Sequence, residues 1–420
     1  MNASTAKHTD ASAPLAGLRV LDFGHTIMGP CAGLIFADLG ADVVKIEPVD
    51  GDPTRHLPGF AGGFFPSLSR NKRSIAIDLK RPEGQAVIHR LAQTADVVLE
   101  NFGAGTIERL GCGWENLKTI NPRLIYLAMK GFLAGPHEGR GALDEVVQMQ
   151  SGLAYLTGPP GRPLRAGASV IDILGGVFGV VAVLAALNER NKTGVGQRVA
   201  SSLFESAAFL MAPHIAGGIA SGEPMRPFPI RKNAWGVYDV FDTADQGKQV
   251  FIGITSDAHW ERFCRSFSLT DLATDERLTT NTRRVAAREW LIPELAKILV
   301  SMPLQEILER SEAAAIPYAP VGHPDELVHD PHLAANGGLI DVAWSALGRQ
   351  VSACLPGLPM EFGDCRHRTV LRRQPPDISE HAKEVLVEAG YGADEIAQLF
   401  EAGIVRAIVE KQAEQKISRA

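Results

Sequence analysis

No pair of cysteines in this chain has the CxxC spacing. None of the five (Cys31, Cys112, Cys264, Cys354, Cys365) has a histidine at ligand spacing. This pattern excludes a disulfide framework and a sequence-encoded zinc site, and fits thiols kept reduced in a cytoplasm. A basic cluster is also missing. Charged residues make up 21% and the formal net charge is −6, which argues against nucleic acid as a partner. No apolar run reaches the ~20 residues that a bilayer requires. The longest, residues 173–187, has fifteen residues and three glycines. It reads as a buried helix whose glycines admit another backbone, and no membrane partner is expected. There is no GxSxG elbow and no P-loop, and Gly24-His-Thr-Ile-Met-Gly29 lacks the GxGxxG spacing. Serine hydrolysis is excluded on that basis. Dinucleotide redox chemistry, with Glu47 on a ribose, becomes a minor alternative.

At 420 residues the chain can bury a large core, and its length suggests two or three domains. Residues 1–17 are rich in Ala, Ser and Thr without an apolar stretch and read as a disordered tail. Strand patterns follow at Leu18-Arg-Val-Leu-Asp-Phe23, Ala41-Asp-Val-Val-Lys-Ile-Glu47, Arg73-Ser-Ile-Ala-Ile-Asp78, Ala95-Asp-Val-Val-Leu-Glu100 and 123–130, with helices at 31–40 and 81–94. Strand, helix, strand within thirty residues is a βαβ unit, so the fold class is α/β with an open, Rossmann-like parallel sheet. Ligands belong at the carboxyl ends of such strands, which here carry His25, Glu47, Asn101-Phe102 and Lys130. The domains read as a large unit over 18–224, a smaller α/β domain over 225–330, and a segment over 331–420 that returns to the large one.

Asp172 stands at the mouth of the long apolar run. Ser169 and Asp172 have the spacing of a capping box, which predicts Ser169 as N-cap and Asp172 at N3. The helix runs to about Lys192, where Gly194 stops it. The same geometry suits a reagent. A carboxylate in the first turn meets the positive end of the helix dipole and is expected to stay ionised beside apolar groups. Such a group is a competent nucleophile towards an activated acyl carbon.

An ordered set of strings then accumulates from Leu15 to about Val405. They are Leu15-Ala-Gly-Leu-Arg-Val-Leu-Asp-Phe23, Asp38-Leu-Gly-Ala-Asp-Val-Val-Lys-Ile-Glu47, Asn71-Lys-Arg-Ser74, Val98-Leu-Glu-Asn-Phe-Gly103 with Arg109-Leu-Gly111, Gly167-Ala-Ser-Val-Ile-Asp172, Lys192-Thr-Gly-Val-Gly-Gln-Arg-Val199 and Ile316-Pro-Tyr-Ala-Pro320. In this order they resemble the class III CoA-transferases, which include formyl-CoA transferase and carnitine CoA-transferase. The resemblance implies that Asp172 attacks a donor acyl-CoA, passing through aspartyl anhydride and thioester intermediates. It implies CoA contacts from His25, Asn101 and Phe102, with Arg109 near the phosphates and Lys72 and Arg73 near the adenosine diphosphate. It also implies an interlocked homodimer, with the CoA thioester as co-substrate and no tightly bound cofactor.

Departures narrow the substrate. Ile27 and Pro48 replace a Gln and an Arg of formyl-CoA transferase, its polyglycine loop is missing between residues 229 and 251, and Ala142-Leu143-Asp144 stands where relatives carry Gly-Tyr-Asp. Formate and oxalate are therefore not expected. Succinyl-CoA as donor and a short dicarboxylate such as itaconate or mesaconate as acceptor are expected, with Arg165, Arg231 and Lys232 as candidate partners for a distal carboxylate. Two alternatives stay open: an α-methylacyl-CoA racemase, whose second base would be a His that 141–145 lacks, and a non-catalytic CoA-binding protein.

Overall fold

The computed structural model describes residues 13–230, 234–346, 349–364, 366 and 368–408; Arg231, Lys232 and Cys365 lie outside them. Short, largely buried segments form β1 (Arg19–Asp22), β2 (Asp42–Glu47), β3 (Lys72–Ala76), β4 (Val97–Glu100) and β5 (Ile125–Lys130). Helix α1 (Met28–Asp38) joins β1 to β2, and α2 (Pro82–Ala92), opened by Pro82, precedes β4. Further along come α3 (Asp144–Gln150), α4 (Val170–Thr193), β6 (Arg198–Ser202) and α5 (Leu203–Ser221). The sixth strand was not foreseen.

The strands pair in the order β3-β2-β1-β4-β5-β6, and each neighbouring pair is parallel. Side chains alternate between two apolar layers, as the strand period of two requires. Val20, Val97, Leu99, Ile125 and Leu127 face one core with α1 and α4. Leu21, Val98, Tyr126 and Ala128 face the other with α2 and the C-terminal helices. Strand order reverses between β1 and β4, which opens a crevice beyond their carboxyl ends.

Glycine sets the closeness of α1 and α4. A Cβ on Gly176 would lie 2.9 Å from the Met28 carbonyl oxygen and 3.2 Å from Cys31 Cβ, so only glycine permits this approach. Cys31 is correspondingly buried. The expectation of a fully buried helix is corrected, however. Ile173, Val177, Val181 and Leu184 form an exposed stripe along the other side of α4, because the sheet covers one face only.

The chain forms two compact units, one of residues 1–227 and 331–420, the other Phe228–Asp330. In the first, the C-terminal segment docks on the edge of β3. Asp78 N–H donates to Ile404 O at 2.8 Å and Arg406 N–H to Ala76 O at 3.0 Å, while Ala382, Val385 and Leu386 enter the core. The second unit is a three-stranded antiparallel sheet, Val237–Asp242, Gln249–Ile254 and Tyr318–Pro320, covered by helices that bury Trp260, Phe263, Leu291 and Leu295.

Candidate active site

A cavity of about 410 Å³ opens at the carboxyl ends of β1, β4, β5 and β6, all within the first unit. His25, Asn101, Phe102, Lys130, Arg140, Asp144, Arg165 and Asp172 line it. The loop after β1 forms one wall. A Cβ on Gly24 would lie 2.6 Å from Gly29 C, and one on Gly29 would lie 2.6 Å from Gly24 Cα. These glycines exist for the loop's contact with itself, which explains their presence without any phosphate motif. Asn101 locks the loop by accepting from His25 N–H at 2.9 Å and donating to His25 O at 3.0 Å. The His25 ring stacks on Phe102 with centroids 5.2 Å apart. Burial holds His25 below the usual imidazole range, against the pull of Asp52 and Asp22 and with help from Lys45 and Lys130.

Asp172 occupies the N3 position of α4, as expected, but the capping box does not form. Ser169 makes no side-chain cap. The cap comes instead from Asp144, whose Oδ2 accepts from Ile171 N–H at 2.8 Å and Asp172 N–H at 3.1 Å. Asp144 is buried, and Gln148 donates from Nε2 to its Oδ1. Gln148 Oε1 in turn accepts from Ala166 N–H at 2.9 Å. Among the described residues nothing donates to the Asp172 carboxylate itself. Its ionisation also departs from expectation. Burial pushes the carboxyl up to about 7, Asp144 and Glu145 add like charge, and Arg165 pulls the other way. The helix dipole is already engaged by Asp144, so Asp172 gains less from it than its position promised.

The remaining predicted residues divide. His25, Asn101, Phe102 and Arg165 line the cavity with Asp172. Arg165 is already held by Glu145 and by the Ala166 carbonyl, its Nε donating at 2.9 Å. Arg109 stands outside the lining, exposed, and donates to Thr106 Oγ1 at 3.0 Å. Lys72 and Arg73 are corrections. Lys72 is fully buried, with Nζ 2.7 Å from Asp22 Oδ2 and 2.9 Å from Pro30 O, so it has no face left for a ligand. Arg73 reaches the opposite end of the sheet, where it pairs with Asp42 at 2.6 Å, Glu388 at 2.9 Å and Glu384 at 3.2 Å.

Sequence reading gave no role to Phe60, Phe64, Arg140 or Asp144, all of which line the cavity. Phe60 and Phe64 form an edge-to-face pair at 5.7 Å. Asp144 is the cap. Arg140 is exposed, 6.0 Å from the Phe132 ring, and has no carboxylate partner among the described residues. Phe60, Phe64 and Arg140 lie in no motif with a spacing to recognise, whereas Asp144 ends the Ala142-Leu143-Asp144 run, the one signal that could have found it. Among the described residues no three His, Cys, Asp or Glu side chains converge as a metal would need.

A family model described as CoA-transferase family III matches residues 15–382. The chain belongs to CoA-transferase family III. Relatives of this family III enzyme include an acyl-CoA transferase of Fusarium pseudograminearum, 34% identical over 96% of this chain and 91% of the relative. A succinate–glutarate CoA-transferase of Agrobacterium fabrum is 34% identical over 89% and 95%. A succinyl-CoA:mesaconate CoA-transferase of Haloarcula hispanica is 34% identical over 90% and 97%. The fold is similar to the crystal structure of a CaiB/BaiF family protein from Brucella suis, with TM-score 0.78 and 31% identity over 90% of this chain and 99% of that one.

Proposed function

We propose that this family III CoA-transferase moves CoA from succinyl-CoA to a short dicarboxylic acid, with Asp172 as the nucleophile. The observation that carries the reading is the Asp172 carboxylate, which stands in a strand-end cavity where none of the described residues donates a hydrogen bond to its oxygens. It attacks the donor thioester carbonyl, the C–S bond breaks, and CoA leaves as thiolate. The thiolate then attacks the aspartyl carbonyl of the mixed anhydride, forming an aspartyl-CoA thioester and freeing the donor acid. The acceptor carboxylate attacks that thioester and expels the thiolate. Finally the thiolate takes the acceptor acyl group and restores Asp172. No net proton is consumed, and the exchange of one thioester for another is nearly thermoneutral. Desolvation at the cavity protects the anhydrides from water.

The names of the relatives that match over most of their length support succinyl-CoA and C4–C5 dicarboxylates as substrates. Arg140 suits the distal carboxylate better than Arg165, which Glu145 already holds. The exposed stripe on α4, with Phe209, Ile215 and Ile219 on α5, supports a homodimer that would cover them.

Two measurements test the reading. Enzyme incubated with succinyl-CoA and then hydroxylamine should carry the hydroxamate at Asp172, and Asp172→Ala should lose turnover. A panel of acceptors, read by mass spectrometry of the CoA esters, should give dicarboxylyl-CoA products. Exchange of an α-proton for deuterium without any acceptor would point to a racemase instead.

A further inference from the structure

A helix whose first turn carries an acidic residue ordinarily spends that residue, or the N-cap side chain, on the free amides of N2 and N3. Here those amides belong to Ile171 and Asp172, and both donate to one oxygen of Asp144, a residue 28 positions earlier in the chain. Asp144 is itself fixed. It is 3% exposed, and Gln148, which is 0% exposed, donates to its other oxygen. Gln148 also anchors the backbone at Ala166, between Arg165 and the helix. The cap, the loop that carries Arg165 and the first turn of α4 are therefore one hydrogen-bonded unit.

We infer that Asp144 is a positioning residue that caps the helix in place of Asp172 and so leaves both oxygens of Asp172 free to meet the acyl carbon. The inference rests on the proposed role of Asp172 as nucleophile. Without Asp144, two unsatisfied amides at the helix start would draw on the acceptors beside them, the Ser169 hydroxyl and the Asp172 carboxylate. Folding back onto its own helix, the nucleophile would lose both its aim and its free lone pairs. Asp144 acts on charge as well as on geometry. Asp144 and Glu145 face Asp172 from α3, Arg165 from the preceding loop and the Cys31 thiol from α1, with Lys130 and Arg140 elsewhere in the same cavity. Of these, Asp144 shares the helix terminus with Asp172, so its charge opposes ionisation of the nucleophile most directly.

The test compares two variants of the full-length enzyme with the wild type. Asp144→Asn keeps an acceptor oxygen for the amides and removes the charge. It should hold kcat on the high-pH plateau within a few-fold and move the acid limb of kcat/KM for succinyl-CoA to lower pH by about one unit. Asp144→Ala removes both. It should lower kcat and the rate of hydroxylamine trapping at Asp172 by tenfold or more, with KM for succinyl-CoA little changed. A merely structural residue would not move the acid limb, and thermal melting of both variants shows whether the fold survives. If folded Asp144→Ala keeps wild-type kcat, or Asp144→Asn titrates as the wild type does, the positioning role is wrong. If Asp172→Ala keeps its turnover, the nucleophile reading has failed first, whatever the Asp144 variants do.

Discussion

Lys72 Nζ lies 2.7 Å from Asp22 Oδ2, and neither side chain meets solvent. Asp22 Oδ1 also accepts from Gly24 N–H at 2.7 Å, so this pair supports the loop that forms one wall of the active site. Removing one partner of a buried pair strands the other charge. Lys72→Met should cost about 3–5 kcal/mol in urea unfolding, and the double variant with Asp22→Asn should recover part of it. The KM for acyl-CoA should stay near wild type at a temperature where the variant is folded. A rise of tenfold would return Lys72 to the CoA site.

Asn101 engages the His25 backbone with both ends of its amide. Asn101→Ala removes two hydrogen bonds worth about 1 kcal/mol each, so kcat/KM should fall roughly tenfold to thirtyfold. Asn101→Asp retains the acceptor and loses the donor, and it should fall between the two. Steady-state kinetics on the three proteins would expose a direct CoA contact instead, as an effect confined to KM.

In the proposed reaction Asp172 attacks only when ionised, and burial pushes its carboxyl up to about 7. Activity towards succinyl-CoA should therefore rise through neutral pH and level off above it. Arg165 is the cation that pulls this value down, so Arg165→Ala should move the limb upward. The sign for stability is opposite to that of an ordinary salt-bridged aspartate. Between the unfolded carboxyl value near 4 and the folded value near 7, the native state binds more protons than the unfolded chain, so folding free energy drains away as pH rises. Asp172→Asn escapes this. It should be more stable than wild type at pH 8 by up to about 4 kcal/mol, and the gap should close by pH 4. Parallel melts at the two pH values decide it.

Arg140 and Arg165 line one cavity in different states, one without a carboxylate partner among the described residues and one engaged by Glu145. Loss of a charge-assisted pair with a substrate costs about 1.5–3 kcal/mol. Arg140→Ala should accordingly raise KM for a dicarboxylate acceptor by tenfold or more and leave a monocarboxylate of equal length unaffected. Equal losses for both acids would assign Arg140 to CoA.

The apolar stripe on α4 has a direct test. Val181 is 54% exposed at its centre. A charge placed there, as in Val181→Glu, should convert a dimer to monomers in light scattering, and a wild-type monomer would remove the dimer from the proposal.

The parallel sheet was legible because β1, β2, β4 and β5 are short stretches carrying Val, Ile and Leu at regular intervals, and buried parallel strands favour that composition. β6 escaped because it is partly exposed at the sheet edge and carries Arg198, Ser201 and Ser202, residues with no strand signature. Asp172 was legible at the start of α4 from the glycines and the apolar run behind it. Its cap was not, since Ser169 offered a local partner and Asp144 comes from another helix. Lys72 and Arg73 failed for the same reason. Their carboxylates are 50 and up to 315 residues away, and only folding reveals that these cations are already spent.

Gly24 and Gly29 touch so closely that neither position tolerates even a methyl group, whereas nothing lies within 4 Å of a Cβ built on Gly139 or Gly141. Gly139 and Gly141 line the cavity, and Gly24 and Gly29 bracket the loop whose residues 25–28 line it, yet one pair is closed to variation and the other open. A library aimed at new acceptor acids should leave 24–29 untouched and diversify 139 and 141, where side chains can be added without rebuilding the wall that holds His25. Under the proposed function, the room for a new acceptor lies at Gly139 and Gly141, on either side of Arg140.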